Sequence, residues 1–201
     1  MTLLAIDTAG PRLQLALRTG EGTPDVLVED MPTGQAERIF PAIAELLARN
    51  GVGYRDLDRV AVTTGPGSFT GVRIGLSAAR GLGLALGIPV IGVPTLVALS
   101  LPAACNPVTV LLDARRGEAY FQSFSGPGIP MAEPELLAET EARKRVPAEA
   151  QLLTSPIVDI AALAHFAAGA NPSAYPPDAA YVRDADAKPQ DRFRIARAEP
   201  A

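Results

Sequence analysis

The chain is poor in the groups that build metal sites and nucleophile–base pairs. In 201 residues there is one histidine, His165, and one cysteine, Cys105. A lone cysteine forms no intrachain disulfide and fits a reducing compartment. One Cys and one His cannot supply a His- or Cys-rich zinc site. Tryptophan is absent and aromatics make up 5%, so the chain lacks the interleaved aromatic and basic residues of a single-strand nucleic-acid surface. Basic residues are outnumbered, 18 Lys+Arg against 22 Asp+Glu, for a net charge of -4, which leaves no electrostatic footprint for gripping a phosphate backbone unaided. No apolar run is long enough to span a bilayer. Met1–Asp7 has no basic segment and its apolar run stops at Asp7, unlike a signal peptide. The expectation is a cytoplasmic protein with no membrane contact.

What is present is core material. Apolar residues make up 48% and charged residues 20%, enough for one large domain or two small lobes sharing a cleft. Leu3 to Asp7 is a short apolar run of buried-strand type. Leu13, Leu15 and Leu17 alternate with Gln14, Ala16 and Arg18, the pattern of a half-buried strand, and Val26–Val28 adds a third. The period then changes. Ile39, Phe40, Ile43, Leu46 and Leu47 recur at three and four residues, one face of a helix that stops near Asn50-Gly51. Arg59 to Thr64 reads as a strand, Phe69 to Leu86 as a helix stopped by Gly87, Val90 to Val93 as a strand, and Thr95 begins a third helix. Three adjacent strands followed by alternating helix and strand is the order of a ribonuclease-H-like half-domain, an analogy of fold.

A second half begins near Pro107. Val108–Asp113, a turn, and the alternating Glu118–Phe124 repeat the strand, Asp, turn, strand unit of Leu3–Asp7 and Arg12–Arg18, hinting at two duplicated lobes. The expected organisation is an α/β fold of the ribonuclease-H-like, actin-like ATPase type. It comprises an intact N-terminal lobe over 1–106, a reduced second lobe over 107–170, and an extended tail over 171–201. Within the second lobe, Pro134 to Val146 reads as charged helical fragments and Ile157 to Ala168 as its one clear helix.

Several residues could carry chemistry. Asp7-Thr8 ends the first strand. In a phosphotransfer enzyme this aspartate would hold magnesium through water; equally, a strand-end aspartate caps the turn that follows. A two-metal nuclease needs converging carboxylates, but the fourth strand ends Thr63-Thr64-Gly65 and only Glu37 and Glu45 lie on the first helix, so a nuclease is rejected. Gly65-Pro66-Gly67-Ser68-Phe69-Thr70-Gly71-Val72-Arg73 joins that strand to the second helix. Ser68 is a good N-cap, and the helix start could bind an anion or be an ordinary tight turn; no Gly-Lys-Ser/Thr makes it a Walker loop. On the second helix Gly71, Gly75, Ala79, Gly83 and Gly87 fall on one line. Interior glycines cost up to ~1 kcal/mol each relative to alanine, so something must offset them: close packing on the chain's own sheet, or a helix interface with a partner. Asp113-Ala114-Arg115-Arg116-Gly117-Glu118 either places guanidinium groups near a cleft or is a solvated hairpin turn. His165 reads as an ordinary helix histidine.

The strings Leu4-Ala5-Ile6-Asp7-Thr8, Ala61 to Leu76, Gly92-Val93-Pro94-Thr95-Leu96 and Asp113 to Tyr120 together resemble the TsaB (YeaZ) family, and Tyr181 to Pro189 resembles that family's tail. The resemblance covers residues 1 to about 124 and again about 181 to 190. It implies a degenerate actin-like ATPase fold that serves tRNA threonylcarbamoyladenosine formation as a non-catalytic partner of TsaD, the threonylcarbamoyl transferase. The ATPase TsaE would join the pair, and the chain would self-associate through the same helices when alone. Contact with tRNA would be indirect, through the complex. The residues implied for the partner interface are Ile39, Phe40, Ile43 and Leu46 on the first helix and Gly71, Gly75, Ala79 and Gly83 on the second. Candidate nucleotide or anion contacts at that interface are Asp7, Thr8, Ser68, Arg73, Asp113 and Arg115. No catalytic residue, metal ligand or intrinsic cofactor is expected; ATP or ADP with magnesium is considered only at the partner interface. Gln35 stands where family members often carry histidine. The competing reading is an active phosphotransferase or peptidase-like enzyme of the same fold.

Overall fold

The computed structural model describes residues 1–180 and 182. Three strands open the chain: β1 (Thr2–Asp7), β2 (Arg12–Thr19) and β3 (Asp25–Asp30). Then come α1 (Gln35–Arg49), β4 (Arg59–Thr63), α2 (Phe69–Leu86), β5 (Val90–Val93) and α3 (Thr95–Ser100). The sheet order is β3-β2-β1-β4-β5. β1 runs antiparallel to β2 and parallel to β4, and β4 runs parallel to β5. This is the ribonuclease-H-like order expected from the meander and alternation.

The second half holds β6 (Val108–Arg115), β7 (Glu118–Gly126), β8 (Ile129–Pro130), β9 (Glu135–Ala138), α4 (Glu139–Lys144), β10 (Gln151–Leu153) and α5 (Ile160–Gly169). Its sheet runs β10-β6-β7-β8, with β9 also pairing β7. The stretch 134–146 is thus part strand, because Glu135–Phe121 pairing draws β9 onto the edge of β7. Of the tail, Tyr181 and residues 183–201, and with them Tyr181 to Pro189 apart from Val182, lie outside the described residues.

Two layers of core sandwich the first sheet. Leu13, Leu15 and Leu17 pack with Ile39, Ile43, Leu46 and α2 on one side. Leu3, Ala5, Ala16 and Ala61 pack on the other with Leu163, Ala164 and Ala167 of α5 and with Val110 and Phe124 of the second sheet. β2 is therefore buried on both faces, not half-buried as its alternation suggests: the small Ala16 leaves room for α5. Arg59 fastens that helix, its Nη1 donating to the carbonyls of Ala167 at 2.8 Å and Ala170 at 2.8 Å. A cation at a helix C-terminus also meets the favourable end of its dipole. The two halves share one core, and the helix expected in the second lobe closes over the first.

Candidate functional site: a closed loop junction beside an exposed helix groove

The loop after β1 and the loop before α2 meet at the C-terminal ends of β1 and β4. Asp7 is fully buried. Its Oδ1 accepts from Thr63 Oγ1 at 2.6 Å and from Ala9 N at 3.1 Å, and its Oδ2 accepts from Gln14 Nε2 at 3.0 Å. Burial pushes its carboxyl above the usual carboxylate value, with the bonds from Thr63, Gln14 and Ala9 pulling the other way. Thr63 occupies the place where a two-metal nuclease would carry an acid, and it serves Asp7 as a donor. Thr8 is also buried and donates its hydroxyl to Gly71 O at 2.7 Å. These hydrogen bonds engage both side chains, and among the described residues neither Asp7 nor Thr8, expected as nucleotide contacts, is exposed. Magnesium does not fit this aspartate as it stands.

The glycine-rich turn is equally engaged. Ser68 caps α2, its Oγ accepting from Gly71 N at 3.2 Å, while its own N–H donates to Ala9 O at 2.7 Å. α2 ends at Gly87 in the left-handed conformation, φ 68. The glycine row faces inward. A methyl group on Gly71 would run into Thr8 O; one on Gly75 would sit 2.6 Å from Thr8 Oγ1 and 3.3 Å from Val62 Cγ2; one on Gly83 would strike Val90. Ala79 is buried, as are Ile39, Ile43 and Leu46. Seven of the eight residues expected at the partner interface, Ile39, Ile43, Leu46, Gly71, Gly75, Ala79 and Gly83, are buried within the chain itself. The absent or small side chains of the three glycines and Ala79 let α2 lie on its own sheet and on the β1–β2 loop, while Ile39, Ile43 and Leu46 hold α1 in the core.

Phe40 alone of that set is exposed, at 48%. It borders a shallow groove of about 480 Å³ between α1 and α2, with Phe69, Thr70, Arg73, Ile74 and Ser77 also lining it. Phe69 is 60% exposed, and the Arg73 guanidinium stacks 3.5 Å from its ring centre, a cation–π contact. Sequence reasoning missed Phe69 and Ile74 because the glycine row drew attention to the opposite face; the aromatic directly after the N-cap was the available signal. Gln35 is buried and donates to the carbonyls of Arg12 at 3.0 Å and Met31 at 3.1 Å, a brace for the start of α1.

Asp113 and Arg115 are solvated and bond to each other, Arg115 N to Asp113 Oδ1 at 2.7 Å. Arg115 and Arg116 have φ of 66 and 57 and precede Gly117 at 76, the left-handed conformations of a tight hairpin. His165 and Cys105 are exposed. Among the described residues no three His, Cys, Asp or Glu side chains gather as metal ligands, and no helix is long and apolar enough to cross a membrane.

The strand order is that of the actin-like ATPase fold, with the β1 aspartate sealed into the fold. Within that fold, the chain is similar to the TsaB (YeaZ) family. A family model described as TsaD, tRNA N6-adenosine threonylcarbamoyltransferase, matches residues 32–129. The chain is 38% identical over 128 residues to the tRNA threonylcarbamoyladenosine biosynthesis protein TsaB of Escherichia coli, covering 62% of this chain and 55% of that protein. It is 39% identical over 126 residues to the protein of the same description in Haemophilus influenzae, covering 60% and 52%. The match thus spans about half the length of these relatives. A solved Pseudomonas aeruginosa structure, described as an uncharacterized protein similar to peptidase YeaZ, superposes with TM-score 0.76 at 26% identity over 90% of this chain and 99% of that one. YeaZ from the same organism gives 0.72 at 28% identity, over 84% and 92%.

Proposed function

We propose that this chain is a non-catalytic partner subunit that supports a TsaD-type transferase in forming threonylcarbamoyladenosine on tRNA. The observation carrying this reading is Asp7. The carboxylate that an active enzyme of the fold would offer to a metal is here buried and accepts three hydrogen bonds from its own chain. Docking falls to the groove between α1 and α2, where Phe40, Phe69 and Ile74 offer apolar area and Arg73 a cation. Large aromatics and arginine are the residues that dominate protein interfaces. A second copy of the chain occupies the same groove when the transferase is absent, and a TsaE-type ATPase joins the assembled pair. A nucleotide at the junction would be met by exposed Ser68, Arg73 and Arg115 rather than by Asp7 or Thr8, and tRNA would be held mainly by the partner.

Size-exclusion chromatography with the transferase tests the docking. The native chain co-elutes with it, and Phe69→Asp loses the complex while keeping its own thermal transition, since Phe69 is already exposed. Normal complex formation by Phe69→Asp and by Phe40→Asp would contradict the groove assignment. Calorimetry with ATP and magnesium separates the competing phosphotransferase reading: tight binding to the isolated chain would favour it.

A further inference from the structure

A second cavity, of about 670 Å³, lies between the two sheets, bounded by the β4–α2 loop, α3, β7, the β8–β9 connection and Ala174, Tyr175, Ala180 and Val182. Its volume is in the range of small-molecule sites. Its chemistry is one-sided. Pro66, Pro94, Pro130 and Pro134 line it and have no N–H to donate. No lysine, arginine or histidine lines it among the described residues; Glu133 does. Gln122, 5% exposed, stands in the wall. Its Nε2 donates to Ala132 O at 2.9 Å, and that bond fixes which amide atom is which. Its Oε1 is buried and has no hydrogen-bond partner among the described residues. A buried acceptor left unsatisfied costs about 1–3 kcal/mol, so a donor arriving from the cavity gains by meeting it. The terminal torsion of a glutamine is broad, which leaves the amide freedom to turn toward a donor in the cavity.

We propose that this inter-sheet cavity binds a small organic cation: an apolar body against Leu96, Met131 and Tyr175, with an ammonium N–H directed to Gln122 Oε1 and its charge toward Glu133. Phosphates are the wrong class of ligand here, because they need donors and positive charge and these walls supply acceptors and a carboxylate. The inference does not depend on the subunit reading above, and partner binding at the α1–α2 groove leaves it untouched.

Titrations of the full chain followed by NMR provide the test, with phenethylamine, 2-phenylethanol, 3-phenylpropionate and ATP as probes. Phenethylamine shifts the Gln122 side-chain amide, the Met131 methyl and Tyr175, binding more tightly than the alcohol, while the carboxylate and ATP leave those signals in place. Gln122→Leu weakens phenethylamine binding roughly tenfold, the loss of one buried hydrogen bond. Glu133→Gln, at an exposed position, removes the preference for amine over alcohol, a change of about threefold. Binding of 3-phenylpropionate or ATP as tight as that of the amine, an unchanged preference in Glu133→Gln, or silence of the cavity signals with every probe would overturn the assignment.

Discussion

At the scale of single residues, Asp7 and the α2 glycines are two sides of one contact. Thr8 and Ala9 are drawn so near α2 that Gly71 has no room for a methyl, and the same closeness leaves Asp7 with only its own chain for company. Gly71→Ala should destabilise by about 2–3 kcal/mol through overpacking against backbone, lowering Tm by roughly 5–10 °C. Gly81, on the same helix with nothing within 4 Å of an added Cβ, is the control: Gly81→Ala should stabilise by up to ~1 kcal/mol. Equal effects at the two sites would remove the close-packing explanation. Asp7 has a pKa raised above its ordinary 3.8. Relative to the unfolded chain, a raised carboxyl favours the fold fully below 3.8 and loses that contribution as pH climbs through the folded value. Asp7→Asn, with Gln14 free to turn its amide over, should therefore be at least as stable as the native chain at pH 7, with the gap closing toward pH 3.8. Thermal melts across that range check the sign. A marked loss of stability at pH 7 would mean the charge itself is needed.

Elements are held by side chains that reach far along the chain. Arg59 on β4 takes the last carbonyls of α5, more than a hundred positions away. Arg59→Met should cost about 1.5–3 kcal/mol, the range for hydrogen bonds from a charged donor, with little change in far-UV dichroism; a shift in Tm under 1 °C would show the tie to be idle. On the opposite side, Arg38 clamps Glu29 and Glu45 between β3 and α1. Its hydrogen bonds hold both carboxyls below their ordinary 4.5. Lowered carboxyls contribute stability above the unfolded value that is lost as pH falls through the folded one. The Tm deficit of Arg38→Met should thus be present at neutral pH and shrink below 4.5. A deficit that persists unchanged in acid would assign it to packing.

At the scale of the whole molecule, the strand order of the first sheet and both cap signals of α2, Ser68 and Gly87, were legible in the sequence, because local pattern determines them. The choice between the two explanations of the glycine row was not. Helical periodicity gives a line of small residues but not which neighbour lies against it, and Thr8 is over sixty residues away. The same limit hid α5: alternation in β2 cannot show that a distant helix will cover Ala16. It also hid the groove, since Phe69 and Ile74 become neighbours of Phe40 only once α1 and α2 are side by side. What results is a body whose β1 aspartate is closed and whose aromatic groove is open, the arrangement on which the proposed partner role rests. The rate of threonylcarbamoyladenosine formation on tRNA by the TsaD-type transferase, measured with and without this chain and with the remaining pathway components supplied, tests that claim most directly. The mixture is expected to modify tRNA, and each protein without the other to give only background. Modification at the full rate without this chain, or turnover by this chain without the transferase, would contradict it.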